Sequence, residues 1–334
     1  MTQSPFQLMP WQDEVWQQLQ PALTGGRMPH ALMLTGAAGI GKLHLARLLG
    51  AALLCRDRKQ DGLPCGECSS CMPLSAGAHP DFKELTPEPE KKTISVDQVR
   101  AFSRTRYLRP QQGQARVGLI HPVEKLHPSA ANALLKTLEE PPAGSYILLI
   151  TEQPSAVIAT IRSRCQLLRV PLPTSAALAS WLESQPESVS QAVALARGAP
   201  LRALALVEAD MVRLQGQWLE DFSTFAAARI GPSGLAQRWH ENSPTDLLDW
   251  LYHCVADVLK ISFDVPETYF ANRAQQQSLR TLAGRLDAGK LRKALPRLIK
   301  ARRLLDSNAD KLLILEQLMI TLWACRATEV QRVN

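Results

Sequence analysis

The stretch Gly36-Ala37-Ala38-Gly39-Ile40-Gly41-Lys42-Leu43 decides the fold of this 334-residue chain. It has the spacing G-x-x-x-x-G-K, it follows the apolar run 31–34, and leucines and alanines at helical spacing follow it. In such a loop, between a buried strand and a helix, backbone N–H groups and the helix dipole point at phosphate oxygens. The sequence therefore predicts a phosphate-binding loop in which Lys42 reaches the terminal phosphates of a nucleotide.

Two positions that hydrolysis requires carry unsuitable side chains. The residue after the loop lysine should be Ser or Thr, whose hydroxyl binds Mg²⁺, but it is Leu43. The predicted strand at 117–120 should be followed by an acidic residue, yet His121-Pro122 stands there and Glu124 comes late. Without the metal, charge on the transferred phosphoryl group goes largely uncompensated. We expect a degenerate site that does not hydrolyse ATP, and that either binds an anion weakly or is pure architecture.

The remainder of the chain has a mixed first half and a helical second half. Apolar runs at 117–120, 146–150 and 167–170 alternate with helical patterns, which predicts a parallel sheet covered on both faces. From about Pro173 helical periodicity dominates. Two apolar stripes, within 247–259 and 312–322, indicate buried helix faces. The predicted fold class is an α/β domain with a phosphate loop, followed by all-helical regions.

Four of the seven cysteines lie close together in a Pro/Gly/Ser-rich insertion. They are Cys55, Cys65, Cys68 and Cys71. Four thiolates suit tetrahedral zinc and leave no position for water, so the prediction is a structural site. Free thiols are the alternative, and His79 is a possible replacement for Cys55. The isolated Cys165, Cys254 and Cys325 are predicted to be small buried apolar residues.

Charge and hydropathy restrict the class of protein. The formal net charge is +7, and no apolar run reaches the length of about 18 residues that a membrane span needs. The N-terminus does not read as a secretory signal, so we expect a cytosolic location. Residues 273–303 carry ten basic residues and one acid, Asp287. This stretch is either an electropositive face for nucleic acid or an acidic partner, or a solvated helix surface.

An arginine pair lies between the third and fourth predicted strands, in Thr160-Ile161-Arg162-Ser163-Arg164-Cys165. An arginine at a sheet edge can neutralise phosphate charge with two parallel hydrogen bonds. Because the chain's own site looks inactive, the target of such an arginine could lie on a neighbouring subunit. A surface salt bridge is the simpler interpretation of the spacing alone.

Taken together, these motifs resemble a known family. The phosphate loop, the cysteine cluster, the run Asn132-Ala133-Leu134-Leu135-Lys136-Thr137-Leu138-Glu139-Glu140-Pro141-Pro142 and the triplet Ser163-Arg164-Cys165 resemble the AAA+ clamp-loader subunits of bacterial DNA polymerase III. The departures at Leu43, His121 and Pro122 resemble the non-hydrolysing member of the family. The motifs cover about half of the chain, up to Cys165, and the helical remainder is similar in pattern only.

The resemblance implies three domains. These are a RecA-like AAA+ domain at 1–166 with a zinc-binding insertion at 55–71, a small helical lid at 167–207, and a helical collar for oligomerisation at 208–334. It also implies a cytoplasmic heteropentameric ring with ATPase gamma/tau subunits and the delta subunit. The ring belongs to a DNA-directed DNA polymerase holoenzyme at the replisome, and it loads the beta sliding clamp onto primed DNA.

The resemblance also implies roles for particular residues. Arg164, with Ser163 and Cys165 in its motif, would reach the ATP held by an adjacent subunit. The four clustered cysteines would be the zinc ligands. Active members carry an arginine shortly after a Gly-Ser pair in the lid, whereas here Gly198-Ala199-Pro200-Leu201-Arg202 places Arg202 one position away. A role for Arg202 in sensing nucleotide is therefore not predicted.

Two other functions compete with this interpretation. An active clamp-loader ATPase of gamma/tau type would turn over ATP, which Leu43 and His121 speak against. A stand-alone zinc module that binds nucleic acid would lose salt-sensitive DNA affinity when Cys65 and Cys68 are replaced. From Cys65 to Lys83, however, Lys83 is the only Lys or Arg.

Overall fold

The computed structural model describes residues 6–106, 110–112, 115–241, 244–272, 275–305 and 309–327. The chain divides into two compact units. The first, the α/β unit, comprises residues 1–185 and 198–202. The second, the helical unit, comprises residues 186–197 and 203–334. The division into three domains, with boundaries after residues 166 and 207, stays a prediction.

A five-stranded parallel sheet forms the centre of the α/β unit. Its strands are β1 (Ala31–Thr35), β2 (Phe82–Leu85), β3 (Arg116–Ile120), β4 (Ser145–Thr151) and β5 (Gln166–Arg169). Their spatial order is β2-β3-β4-β1-β5, and every neighbouring pair is parallel. The predicted parallel sheet is confirmed, and four strands begin and end within one residue of the predicted runs.

The sequence does not predict strand β2. Its middle residues, Lys83 and Glu84, are polar and exposed, so the strand lacks the apolar run of a buried strand. It lies at the edge of the sheet, and among the described strands its partner is β3 alone. Edge strands tolerate charged side chains because one side of the strand has no neighbour in the sheet.

Helices cover both faces of the sheet. They are α1 (Asp13–Thr24), α2 (Lys42–Leu54), α3 (Cys71–Ser75), α4 (Val96–Arg106), α5 (Pro128–Glu139), α6 (Ala159–Arg162) and α7 (Ser175–Leu182). Short 3-10 turns lie at Val123–Lys125 and Pro154–Ala156. Alternate residues of β1 face opposite sides, as the period of a strand requires. Leu32 and Leu34 join a core with α1 and α2, whereas Ala31 and Met33 join one with α4 and α5.

The helical unit is built around an aromatic core. Its helices are α8 (Glu187–Leu195), most of α9 (Pro200–Glu208), α10 (Met211–Ala226), α11 (Pro232–His240), α12 (Pro244–Ser262), α13 (Gln276–Ala283), α14 (Ala288–Leu304) and α15 (Lys311–Trp323), with a 3-10 turn at Glu267–Tyr269. The rings of Trp218 and Trp239 lie 5.6 and 6.1 Å from that of Trp250. These large side chains are buried, so they contribute much of the hydrophobic stabilisation of the unit.

Of the two predicted apolar stripes, the one on α12 is buried throughout and the one on α15 is buried in part. In α12 the predicted stripe residues Leu247, Leu248, Leu251, Val255 and Leu259 are all buried, which confirms the prediction. In α15 four of the six residues are buried, but Leu313 is 64% exposed. The assignment of Leu313 to the buried face was wrong. Leu313 and Leu315 are two positions apart, which corresponds to a rotation of about 200° around the helix. That rotation places Leu313 opposite the fully buried Leu315.

No helix within the described residues combines the length and the hydropathy that crossing a membrane requires.

Candidate functional site

The phosphate loop lies where the sequence predicts it, between β1 and α2. Gly41 precedes the helix with a positive φ of 84°, and Gly39 has a φ of 74°, a region that favours glycine. A Cβ on Gly39 would lie 2.5 Å from the main-chain nitrogen of Arg202, and one on Gly41 would lie 2.8 Å from Gln12 Nε2. Both glycines therefore also allow close approach by neighbouring segments of the α/β unit.

Three residues from two segments hold the loop in place through its carbonyl groups. Trp11 Nε1 donates to Ile40 O and Gln12 Nε2 donates to Gly41 O, each at 2.9 Å. The main-chain N–H of Leu201 donates to Gly39 O at 2.9 Å. Trp11 and Gln12 are not among the predicted site residues. No motif marks them, because they act through main-chain atoms of the loop.

The loop lysine is buried and already has partners. Lys42 is 4% exposed, its Nζ donates to Ala37 O, and it lies 3.6 Å from Glu152 Oε1. Burial lowers the pKa of Lys42, while the carboxylates of Glu152 and Glu124 act in the opposite direction. Glu152 is not among the predicted site residues. Its signal was an acid directly after β4, at the sheet edge where the carboxyl ends of the parallel strands meet.

Neither position 43 nor position 121, where magnesium ligands are expected, carries an oxygen ligand for the metal. Leu43 packs against the apolar core beside α1 and α2. His121, which follows β3, turns its Nε2 towards Glu84 Oε2 at 3.5 Å. Glu124 lies in the 3-10 turn after β3, where its Oε1 accepts from the main-chain N–H of Glu152 at 3.3 Å.

His121 takes part in a hydrogen-bond network around the edge strand β2. Arg47 Nε and Nη2 donate to the two oxygens of Glu84 at 2.6 and 2.8 Å. Burial disfavours the Glu84 carboxylate, but Arg47 and His121 outweigh it and lower the pKa of Glu84 to about 2. His121, which follows β3, thus belongs to a hydrogen-bond network that links α2, β2 and β3.

The four predicted cysteines come together in space. The Sγ atoms of Cys55, Cys65, Cys68 and Cys71 all lie within 4.8 Å of one another. Cys55 follows α2 and Cys71 begins α3, while the other two lie on the intervening loop. Main-chain N–H groups of Cys65 and Cys68 donate to the sulfurs of Cys55 and Cys65 at 3.3 Å. This donor set suits one tetrahedrally bound metal ion.

The thiol pKa values differ across the cluster. Burial raises the pKa values of Cys55 and Cys71. Burial also disfavours the Cys68 thiolate, but main-chain hydrogen bonds outweigh it and lower the pKa of Cys68 to about 6. His79 stays outside the cluster, and its Nδ1 accepts from the main-chain N–H of Asp81 at 3.0 Å.

The isolated cysteines are largely as predicted. Cys254 and Cys325 are buried, and Cys165 is half-buried against the core beside α4 and α5. Burial raises the pKa of the Cys165 thiol to about 12, so this residue behaves as a small apolar side chain.

Arg164 follows α6 at the surface of the α/β unit. Its Nη1 donates to Thr160 O at 3.0 Å, and its Nη2 pairs with Glu139 Oε1 at 2.5 Å. Ser163 Oγ donates to the same Thr160 carbonyl at 3.1 Å. Cys165 packs against the core beside α4 and α5, while the Arg164 side chain is 35% exposed at the surface.

The basic stretch is partly neutralised in the helical unit. Arg280 pairs with Glu267 at 2.7 Å, and Arg302 pairs with Asp249 at 3.0 Å. Helix α14 buries Leu291, Ala294 and Leu298, and turns a set of basic residues to solvent. These are Arg292, Lys293, Arg297, Lys300 and Arg303. The choice between a binding surface and a solvated face stays open.

The fold and loop define the class of protein. A parallel sheet with a glycine-rich phosphate loop between β1 and α2 is the nucleotide-binding P-loop class, here joined to a helical unit. Comparison with known families identifies one family within the P-loop class. Residues 11–174 match the model of the DNA polymerase III delta subunit, and residues 192–323 match that of its C-terminal part.

Individual relatives agree with this match. DNA polymerase III subunit delta' of Pseudomonas aeruginosa is 35% identical, over 95% of this chain and 97% of its own length. The delta' subunit of Escherichia coli is 35% identical, over 75% of this chain and 76% of its own length. The chain belongs to the DNA polymerase III delta-prime subunit family, as the motifs predicted.

More distant similarities were also found. Subunit tau of Salmonella typhimurium is 37% identical over 46% of this chain and 23% of its own length. A solved gamma subunit-related protein of Thermotoga maritima aligns over 93% of this chain and 99% of its own, at 16% identity and a TM-score of 0.47. The structural likeness is too low to add to the family assignment.

Proposed function

We propose that this chain is a non-hydrolysing, delta-prime-type subunit of a DNA polymerase III clamp loader. The observation that carries the proposal is the state of Lys42, which is buried, bonded to its own loop and 3.6 Å from Glu152. A phosphate would have to compete with that carboxylate for the lysine. The chain by itself is therefore not an enzyme, and it contributes to the polymerase holoenzyme as a structural and activating subunit.

The geometry of the magnesium positions supports the same proposal. Leu43 offers an apolar side chain to the core, and His121 is engaged by Glu84. Mg²⁺ requires oxygen ligands, which neither residue supplies. ATP bound here would lack the metal that stabilises the transferred phosphoryl group. The loop thus serves as architecture, and any nucleotide binds weakly and is not hydrolysed.

Arg164 is the residue we propose to act on a neighbouring subunit. Its guanidinium is partly exposed, and Ser163 and Cys165 fix the chain on either side of it. An arginine supplied by an adjacent subunit stabilises the charge on a phosphoryl group in transfer. In the assembled ring, Arg164 would complete the ATP site of an adjacent gamma/tau subunit.

The cysteine cluster is proposed to hold zinc. Its four sulfurs converge in the α/β unit and form a closed ligand set. Such a set leaves no coordination position for a substrate, so the metal ties α2 to the loop and α3. The cluster therefore contributes to the stability of this insertion and not to chemistry.

The partners follow from the family. We propose a cytoplasmic heteropentamer at the replisome, with gamma/tau ATPase subunits and a delta subunit, that loads the beta sliding clamp onto primed DNA. Subunits around such a ring present different faces to their two neighbours, which suits a member that gives an arginine and hydrolyses nothing. The helical unit would supply the oligomerisation collar.

Turnover of ATP tests this function. The isolated chain should release no phosphate with Mg-ATP, while rings reconstituted with the chain should hydrolyse ATP faster than the same subunits without it. Steady hydrolysis by the isolated chain would instead identify an active gamma/tau-type ATPase. Loss of salt-sensitive DNA binding on replacing Cys65 and Cys68 would favour the zinc module for nucleic acid.

A further inference from the structure

Glu139 and Arg164 form an ion pair at the surface of the α/β unit. Glu139 is the last residue of α5, and its Oε1 lies 2.5 Å from Arg164 Nη2. The neighbouring Glu140 caps the same helix end and is also exposed. The Glu139 carboxylate lies at the negative end of the α5 dipole, where a cation is favoured. The end of α5 thus holds the Arg164 guanidinium electrostatically.

The ion pair between Glu139 and Arg164 lies where another anion could replace the Glu139 carboxylate. The side chains of Glu139 and Arg164 are 48% and 35% exposed, and ion pairs between exposed groups contribute little to stability. Arg164 Nη1 has separate partners, Thr160 O at 3.0 Å and Ser163 Oγ at 3.4 Å. Releasing Nη2 would therefore leave the guanidinium hinged on α6 and free to take another anion.

We propose that Glu139 is a latch for Arg164, a positioning residue that pairs with the guanidinium in the free subunit and gives way to the triphosphate of a neighbouring subunit. The inference rests on the proposed role of Arg164 in the ring. A triphosphate carries several negative charges and displaces a single carboxylate from an arginine. The latch keeps Arg164 from pairing with other anions before the ring forms.

Competition between the two anions has a measurable consequence. The apparent affinity of Arg164 for the neighbour's ATP is the intrinsic affinity multiplied by the fraction of subunits in which the guanidinium is unlatched. Latching therefore weakens this affinity by a fixed factor. For an exposed pair of this kind that factor is about 1.5- to 5-fold. Removing the latch should lower the KM for ATP of reconstituted rings by this factor, and should leave kcat unchanged because the pair is already broken in the transition state.

The first experiment uses the isolated chain. Phenylglyoxal, which reacts with accessible guanidinium groups, is applied to the wild type, Glu139→Gln and the matched control Glu140→Gln. Peptide mass spectrometry then follows modification of Arg164. We expect Arg164 to react about 1.5- to 5-fold faster in Glu139→Gln and at the wild-type rate in Glu140→Gln. Equal rates in all three proteins would overturn the latch, whatever the function of the chain.

The second experiment uses reconstituted rings. Glu139→Gln should lower KM at constant kcat, Glu140→Gln should change neither, and Glu139→Gln should have no effect in an Arg164→Ala background. A fall in kcat with Glu139→Gln would mean that the carboxylate braces Arg164 during the reaction and would refute the latch. If Arg164→Ala itself leaves turnover unchanged, the proposed function fails, and the phenylglyoxal result still decides whether the pair holds the arginine.

Discussion

Lys42 Nζ lies 3.6 Å from Glu152 Oε1, so the lysine of the phosphate loop has an anionic partner from the end of β4. Glu124, in turn, accepts a hydrogen bond from the main-chain N–H of Glu152. Both carboxylates favour the charged form of a lysine whose burial disfavours it. Contacts within the α/β unit therefore stabilise the shape of the loop around Lys42.

Restoring one magnesium ligand should not restore hydrolysis. Leu43→Ser supplies a hydroxyl after Lys42, but His121 remains tied to Glu84 and offers no carboxylate. We expect the isolated Leu43→Ser chain to release phosphate from Mg-ATP no faster than Leu43→Ala, which loses the same apolar contacts without gaining an oxygen. Magnesium-dependent turnover by Leu43→Ser alone would show that another acid completes the site.

Arg164→Ala should impair the ring while leaving its assembly intact. Removing an arginine supplied by a neighbour slows a nucleotide site by about 10³-fold or more, so the ring loses at least that site's share of turnover. DNA-stimulated phosphate release measures the loss, and size-exclusion chromatography measures assembly. The matched control is Arg100→Ala, which removes an exposed arginine paired with Asp97 on α4. Equal turnover in the two variants would exclude the role of Arg164.

Removing one thiol should empty the cysteine cluster. Cys68→Ser leaves three sulfurs, so a closed tetrahedral site loses a ligand and the metal with it. We expect elemental analysis to give one zinc per wild-type chain and none for Cys68→Ser, with a lower melting temperature because metal binding is coupled to folding. The exposed neighbour Ser69→Ala should keep its zinc. Full zinc content in Cys68→Ser would place the metal elsewhere.

The network on the edge strand should make stability depend on pH in the acidic range. The pKa of Glu84 is lowered from 4.5 to about 2, so its ionised form stabilises the folded chain. That contribution is complete above pH 4.5 and is lost as the pH falls towards 2. Glu84→Gln should therefore lower the free energy of unfolding by about 1–2 kcal/mol at pH 7, after allowance for solvent screening.

Urea unfolding at several pH values checks this prediction. The difference in free energy of unfolding between the wild type and Glu84→Gln should shrink as the pH falls from 4.5 to 2, because the Glu84 carboxylate of the wild type becomes protonated there. Asp97→Asn, which removes an acid from an exposed pair, should cost less than about 0.5 kcal/mol. A difference that stays constant with pH would mean that Glu84 contributes by packing and not by charge.

Two leucines of α15 should differ sharply in their contribution to stability. Leu315 is fully buried in the helical core, so Leu315→Ala should cost about 2–5 kcal/mol. Leu313 is 64% exposed, and Leu313→Ala should change stability by less than about 0.5 kcal/mol. Thermal unfolding followed by tryptophan fluorescence separates the two. Comparable losses would mean that another segment covers Leu313.

Several features of the fold were predictable because their signals are local. The phosphate loop, four strands and the cysteine cluster each depend on residues that are close in sequence and have a defined spacing. Strand β2 was missed because Lys83 and Glu84, at the edge of the sheet, carry no apolar pattern. Leu313 was misassigned because an apolar residue marks a buried face only when its helical phase agrees.

By itself, the sequence determined the class of fold, the convergence of four thiols and the absence of suitable side chains at Leu43 and His121. These conclusions need only residue type and spacing along the chain. The tertiary structure alone decided which of these side chains meet: Glu152 with Lys42, Glu84 with His121, and Glu139 with Arg164. Each of these pairs joins segments that are distant in sequence, and such contacts leave no periodic pattern in the sequence.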